Sequence, residues 1–132
     1  MKEKFIPNHL HLICKGEFLN PPKDAKTLDD WLLSLVKKVR MVVLTGPTSV
    51  YVNEPGNEGI TGTVTLATSH ASMHVWDEEI PALFQFDIYS CSKFTTEEVI
   101  EHLQEFGLKK IEYIRIDRNN EMVITEHKTI HY

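Results

Sequence analysis

Two runs of apolar–polar alternation constrain what this chain can fold into. Residues 60–67 put Ile60, Gly62, Val64 and Leu66 on one side and Thr61, Thr63, Thr65 and Ala67 on the other. Residues 83–90 put Phe84, Phe86 and Ile88 on an apolar side, with Leu83, Gln85, Asp87 and Tyr89 opposite. A period of two marks a strand, and a strand apolar on one side only belongs to a sheet with one covered face. Short apolar runs at 9–15 and 41–45 read as further strands. Residues 109–116 are rich in strand formers, but either Glu112, Ile114 and Ile116 or Ile111, Tyr113 and Arg115 could be the buried side.

Two helices supply the cover. Thr27 and Asp30 resemble a capping box, and Leu28, Trp31, Leu32, Leu35, Val36 and Val39 then recur at helical spacing. A second box, Thr95 with Glu98, opens a helix whose buried side is Val99, Ile100, Leu103 and Phe106, and Gly107 stops it. Turn material lies at 46–48, 53–59 and 78–81. The expected fold is α+β: a two-layer sandwich, an antiparallel sheet with two helices packed on one face. The other face is then free for a site or a partner.

Length and charge narrow the function classes. The 132 residues suit a single domain, 1–132. A net charge of −5 argues against nucleic acid as a partner, since such binders carry a basic patch. Met1–Pro7 has no apolar leader core and no run reaches membrane-spanning length, so no membrane association is expected. Two cysteines, Cys14 and Cys91, are too few for a disulfide framework and fit a reduced, cytoplasmic setting.

The chemistry-bearing residues are concentrated in the segment Thr68-Ser69-His70-Ala71-Ser72-Met73-His74-Val75-Trp76, with Cys91 at the end of the next apolar run. His70 and His74 would need a helix to chelate a metal from positions i and i+4, and the local pattern is strand-like, so no metal is expected. Ser69 and His74 have opposite parity and can cooperate only if the chain bends between them. Thr61 and Ser69 share parity, which on a continuous strand would place both on one face. Cys91 shares parity with Asp87 and Tyr89 on the polar side.

These residues resemble, in order and over 59–117, the prokaryotic S-adenosylmethionine decarboxylase proenzyme family. Gly59–Leu66 resembles the family's strand before its cleavage point. Ser69-His70 and His74-Val75-Trp76 resemble its Ser-His and His-x-Trp signature, and Tyr89-Ser90-Cys91 its aromatic-Thr-Cys element. Thr68 stands where the family usually carries Glu, Asp77-Glu78 where it carries Pro-Glu, and Ser92-Lys93 where a Gly follows the Cys.

The resemblance implies autocatalytic serinolysis between Thr68 and Ser69, giving chains 1–68 and 69–132. Ser69 then becomes a covalent pyruvoyl group, the sole cofactor, which forms a Schiff base with a small-molecule substrate and takes up electrons as CO₂ leaves. It further implies His74 as acid/base in processing, Thr61 as its assistant, and Cys91 as proton donor in turnover. Glu78, Trp76 and Tyr51 are the implied substrate-binding residues, with Tyr51 the candidate to stack on adenine. The implied activity is S-adenosylmethionine decarboxylation for spermidine synthesis, in a homodimer with active sites near the interface. The alternatives are the same chemistry on arginine or ornithine, or a processing-dead homologue that binds or regulates an active partner.

Overall fold

The computed structural model describes residues 8–132; the leader-free reading of Met1–Pro7 lies outside them. The described residues form one antiparallel sheet of seven strands. In chain order these are β1 (Leu10–Phe18), β2 (Val43–Val52), β3 (Gly59–Leu66), β4 (Ser69–Trp76), β5 (Ala82–Ser90), β6 (Leu108–Asp117) and β7 (Val123–His131). Their spatial order is β2-β3-β4-β5-β1-β6-β7, so β1 is inserted between β5 and β6. Helices α1 (Ala25–Lys38) and α2 (Thr96–Leu103) cover one face, as expected for a two-layer α+β sandwich. No helix among the described residues is long and apolar enough to cross a membrane.

The alternation in β3 and β5 maps directly onto this arrangement. Ile60, Val64, Leu66, Phe84, Phe86 and Ile88 are buried toward the helices, joined by Leu12 and Phe18 of β1 and by Ala71, Met73 and Val75 of β4. In β6 the helix side is Ile111 and Tyr113, and Arg115 on that side hydrogen-bonds the Phe94 carbonyl and Thr96 hydroxyl at the start of α2. Leu28, Trp31, Leu32, Leu35 and Val36 of α1, and Val39 at its C-cap, are all buried, the face the spacing predicted. The helices lock to each other reciprocally: the Trp31 indole donates to the His102 carbonyl at 3.0 Å, and His102 Nε2 meets the Trp31 carbonyl at 2.9 Å.

Local signals explain the ends of these elements, with two corrections. Helix α2 has the full Thr95/Glu98 capping box, and after one 3₁₀ turn Gly107 stops the chain at φ 68°. Helix α1 starts earlier than the Thr27/Asp30 box suggested: Asp24 is the cap, accepting the Thr27 N–H at 2.8 Å. The expected turn at 46–48 lies inside β2, where the pairing with β3 shifts register twice between Val43 and Thr48.

Gly59 opens β3 at φ +154°, and a Cβ there would lie 1.7 Å from the Val75 carbonyl oxygen of β4. That obstacle is backbone in a paired strand and cannot swing away. Gly59→Ala is therefore expected to destabilise the protein by about 3 kcal/mol, at the upper end of single-substitution effects. Urea unfolding checks this by the shift in midpoint.

Candidate active site

The residues singled out in the sequence fall into two groups at opposite ends of the β3–β4 hairpin. The first surrounds Ser69. Leu66 pairs with Ser69, leaving Ala67 and Thr68 as a two-residue loop. Thr68 sits at φ 59°, a backbone region that such turns usually give to Gly or Asn. A β-branched residue held there stores strain on the order of 1–3 kcal/mol, next to the peptide bond joining it to Ser69.

Ser69 is buried on the helix side with Ala71, Met73 and Val75. Its hydroxyl accepts the Cys91 N–H at 3.1 Å and donates toward Cys91 Sγ at 3.7 Å. The Cys91 thiol also touches the Thr68 hydroxyl and lies 3.8 Å from the Ala67 carbonyl oxygen. Cys91 is not on the polar side with Asp87 and Tyr89, as its parity suggested. Strand β5 ends at Ser90, whose buried hydroxyl accepts the Ser92 N–H at 2.9 Å and donates to the Ser92 carbonyl at 2.7 Å. This local ring turns the chain inward. The Asn8 N–H then fixes the Cys91 carbonyl at 2.8 Å. Cys14, the other free cysteine, lies in the core, where burial first and Asp87 second push its thiol far above the ordinary range.

The second group lies on the open face at the far end of the hairpin. Thr61 is paired across the ladder with His74, and Thr61 Oγ1 meets His74 Nδ1 at 3.0 Å. Both line a cavity of about 140 Å³ with Asn57 and Trp76, and the Trp76 indole donates to the Asn57 side-chain oxygen at 2.8 Å. Trp76 also walls a neighbouring cavity of about 500 Å³, with Lys15, Leu83, Gln85 and Glu112. The Tyr51 hydroxyl donates to Asp77 at 2.8 Å, and this bond, with some burial, raises its pKa. The Glu78 carboxyl is raised by the neighbouring charge of Glu58 and by a hydrogen bond to it. Of the three expected substrate residues, Trp76 stands beside Thr61 and His74. Tyr51 pairs with Ile60 and so lies on the helix side at the same end of the hairpin, with Glu78 just beyond the end of β4.

Ser69 and His74 are not brought together within one chain. Strand β4 is regular from Ser69 to Trp76, so the two point to opposite faces, roughly 17 Å apart along the strand. The bend expected between them lies instead before Ser69, at Thr68. Thr61 and Ser69 are likewise on opposite faces, because the hairpin loop intervenes and resets their parity.

The sequence reading missed a cluster in the middle of the open face. His11 Nε2 and His70 Nε2 approach Asp87 Oδ2 at 2.8 and 3.2 Å, and Ser72 Oγ donates to Asp87 Oδ1 at 2.5 Å. Partial burial of Asp87 opposes ionisation, yet the bonds from His11, Ser72 and His70 outweigh it and lower the carboxyl to about 2. The alternation of His9 and His11 on one strand face, opposite the polar side of β5, was the only available signal.

Comparison with known proteins places the chain. The family profile described as S-adenosylmethionine decarboxylase matches residues 12–119. Two relatives, S-adenosylmethionine decarboxylase proenzymes of Clostridium botulinum strains Langeland and Okra, are each 26% identical over 91 residues, covering 67% of this chain and 77% of theirs. With a profile match across most of its length, the chain belongs to the S-adenosylmethionine decarboxylase family, a family of decarboxylase proenzymes.

Proposed function

We propose that the chain is a proenzyme that cuts itself between Thr68 and Ser69 and then decarboxylates S-adenosylmethionine, supplying the aminopropyl donor for spermidine. The observation that carries the cut is the strained left-handed Thr68 beside a buried serine hydroxyl. Ser69 Oγ attacks the Thr68 carbonyl carbon, the C–N bond breaks, and the amide becomes an ester. Loss of the Ser69 α-proton and cleavage of its Cβ–O bond release 1–68 as a carboxylate. Water then displaces ammonia from the dehydrated residue to leave a pyruvoyl end on 69–132. Strain at Thr68 favours the first step because opening the bond relieves it.

These residues fit a serine-derived carbonyl: Ser69 heads a paired strand, and the Cys91 thiol is held beside it by backbone bonds on both sides. The pyruvoyl carbonyl supplies an electron sink for loss of CO₂. Cys91 holds a proton at Sγ, in position to return it once CO₂ has gone. On this reading Cys91→Ala still matures but loses about 10²–10⁴ of its turnover, the usual worth of a positioned acid. Release of labelled CO₂ from carboxyl-labelled S-adenosylmethionine checks it, and full activity of the variant would remove Cys91 from the reaction.

The separation of the two groups is accounted for by a homodimer. Two-fold symmetry is reciprocal, so Ser69 of one protomer can meet Thr61 and His74 of its partner, and the converse, giving two composite sites. The open face carries exposed Ile13 and Leu83, apolar surface of the kind an interface covers. Trp76 would then close over the substrate beside the partner's pyruvoyl group, with Glu78 and Tyr51 at the same end of the hairpin. The acid cluster of Glu58, Asp77 and Glu78 suits a sulfonium, and it equally suits the guanidinium of arginine or the amine of ornithine. The same CO₂ assay run on all three substrates separates them.

A further inference from the structure

We propose that His11, His70 and Asp87 form a binding site for a divalent transition-metal ion, Zn²⁺ above all, at the centre of the open sheet face. The three ligand atoms lie within 4.8 Å of one another, with His–Asp separations of 2.8 and 3.2 Å. A tetrahedral Zn²⁺ with bonds of about 2.0–2.1 Å keeps its ligand atoms roughly 3.4 Å apart, so small imidazole rotations would complete the set. Two imidazoles and one carboxylate leave a fourth position for water or a ligand, the composition of an open zinc site.

Register makes the arrangement rigid. His70 and His11 both pair with Tyr89, on β4 and β1 either side of β5, and Asp87 lies two residues from Tyr89 on the same face. Three adjacent interior strands thus each contribute one ligand, and the geometry does not depend on a loop. The Ser72 hydroxyl holds Asp87 Oδ1 and turns Oδ2 toward both imidazoles, which is the orienting role that outer hydrogen bonds play around metals. Arg118 faces the remaining nitrogen of His11 at 3.3 Å and is also held over the Tyr89 ring, 4.6 Å from its centroid. Coordination through Nε2 moves the His11 proton to Nδ1, so Arg118 gives up the first contact and keeps the second.

On the proposed self-cleavage, and resting on it, His11 ends up on the 1–68 chain and His70 and Asp87 on the 69–132 chain, so the ion would tie the two products together. Binding itself needs no cut. The test is titration of untagged, chelator-dialysed protein with ZnCl₂ by calorimetry, and with Co²⁺ by visible absorption. Both are run on wild type and on Ser69→Ala, so the outcome is independent of cleavage. One ion per chain is expected, with the absorption of tetrahedral Co²⁺ and a raised melting temperature on adding Zn²⁺. His70→Ala, at a half-exposed position, and Asp87→Asn should each weaken binding by about 10–100-fold. His127→Ala, at an exposed histidine paired with Glu112, should leave it unchanged. Absence of saturable uptake, or uptake that survives His70→Ala at full affinity in a folded protein, overturns the proposal.

Discussion

Ser69→Ala is expected to purify as one intact chain with no carbonyl cofactor and no decarboxylase activity. The substitution removes the attacking oxygen and the atoms from which the pyruvoyl group is made, so no slower route to the same product remains. Its structural cost is small. The Cys91 N–H loses one hydrogen-bond acceptor, worth about 1 kcal/mol, and a methyl group fits where the buried hydroxyl lay. A folded, uncut and inactive protein is therefore distinguishable from an unfolded one by its circular dichroism and melting transition. Electrophoresis under denaturing conditions reads the cut directly, and a Ser69→Ala protein that still separates into two half-length chains would place the chemistry elsewhere.

His74→Ala is expected to slow self-cleavage by about 10²–10⁴-fold, the range for loss of a positioned proton carrier. The sharper prediction concerns mixtures. In one chain Ser69 and His74 point to opposite faces, so the proposed dimer requires His74 to act on the partner's Ser69. Co-expression of Ser69→Ala chains with His74→Ala chains should then restore cutting in mixed dimers. It should appear only in the chain that keeps Ser69, because that chain alone faces an intact His74. If His74 serves its own chain, the mixture stays uncut. Denaturing electrophoresis with a size tag on one variant separates the two outcomes.

The fold was legible where one side of an element is buried and its ends carry side-chain chemistry. Strands β3 and β5 alternate because the helices cover one side, and α2 is bounded by Thr95, Glu98 and Gly107. Strand β7 escaped because it lies at the sheet edge, where its residues are mostly exposed and burial imposes no pattern. In β6 both sides carry isoleucine, and only packing against the helices, which buries Ile111 and Tyr113 and holds Arg115 at the start of α2, separates them.

The site was legible as a list of residues and not as a geometry. Parity arguments assume a continuous strand, and two short turns break that assumption. The Ala67–Thr68 loop pairs Leu66 with Ser69, which inverts the relation between Thr61 and Ser69. The Ser90–Ser92 ring does the same for Cys91. The His11, His70 and Asp87 cluster needed the strand order itself, since β1 enters the sheet beside β5 although 63 residues of chain, 19 to 81, separate the two strands.

The most direct test of self-cleavage is the intact mass of the freshly purified wild-type protein under denaturing conditions. Two chains divided between Thr68 and Ser69 are predicted, the C-terminal one lighter by one ammonia than a chain that begins with serine. A single chain of full-length mass, in a protein that is folded and dimeric, would contradict it.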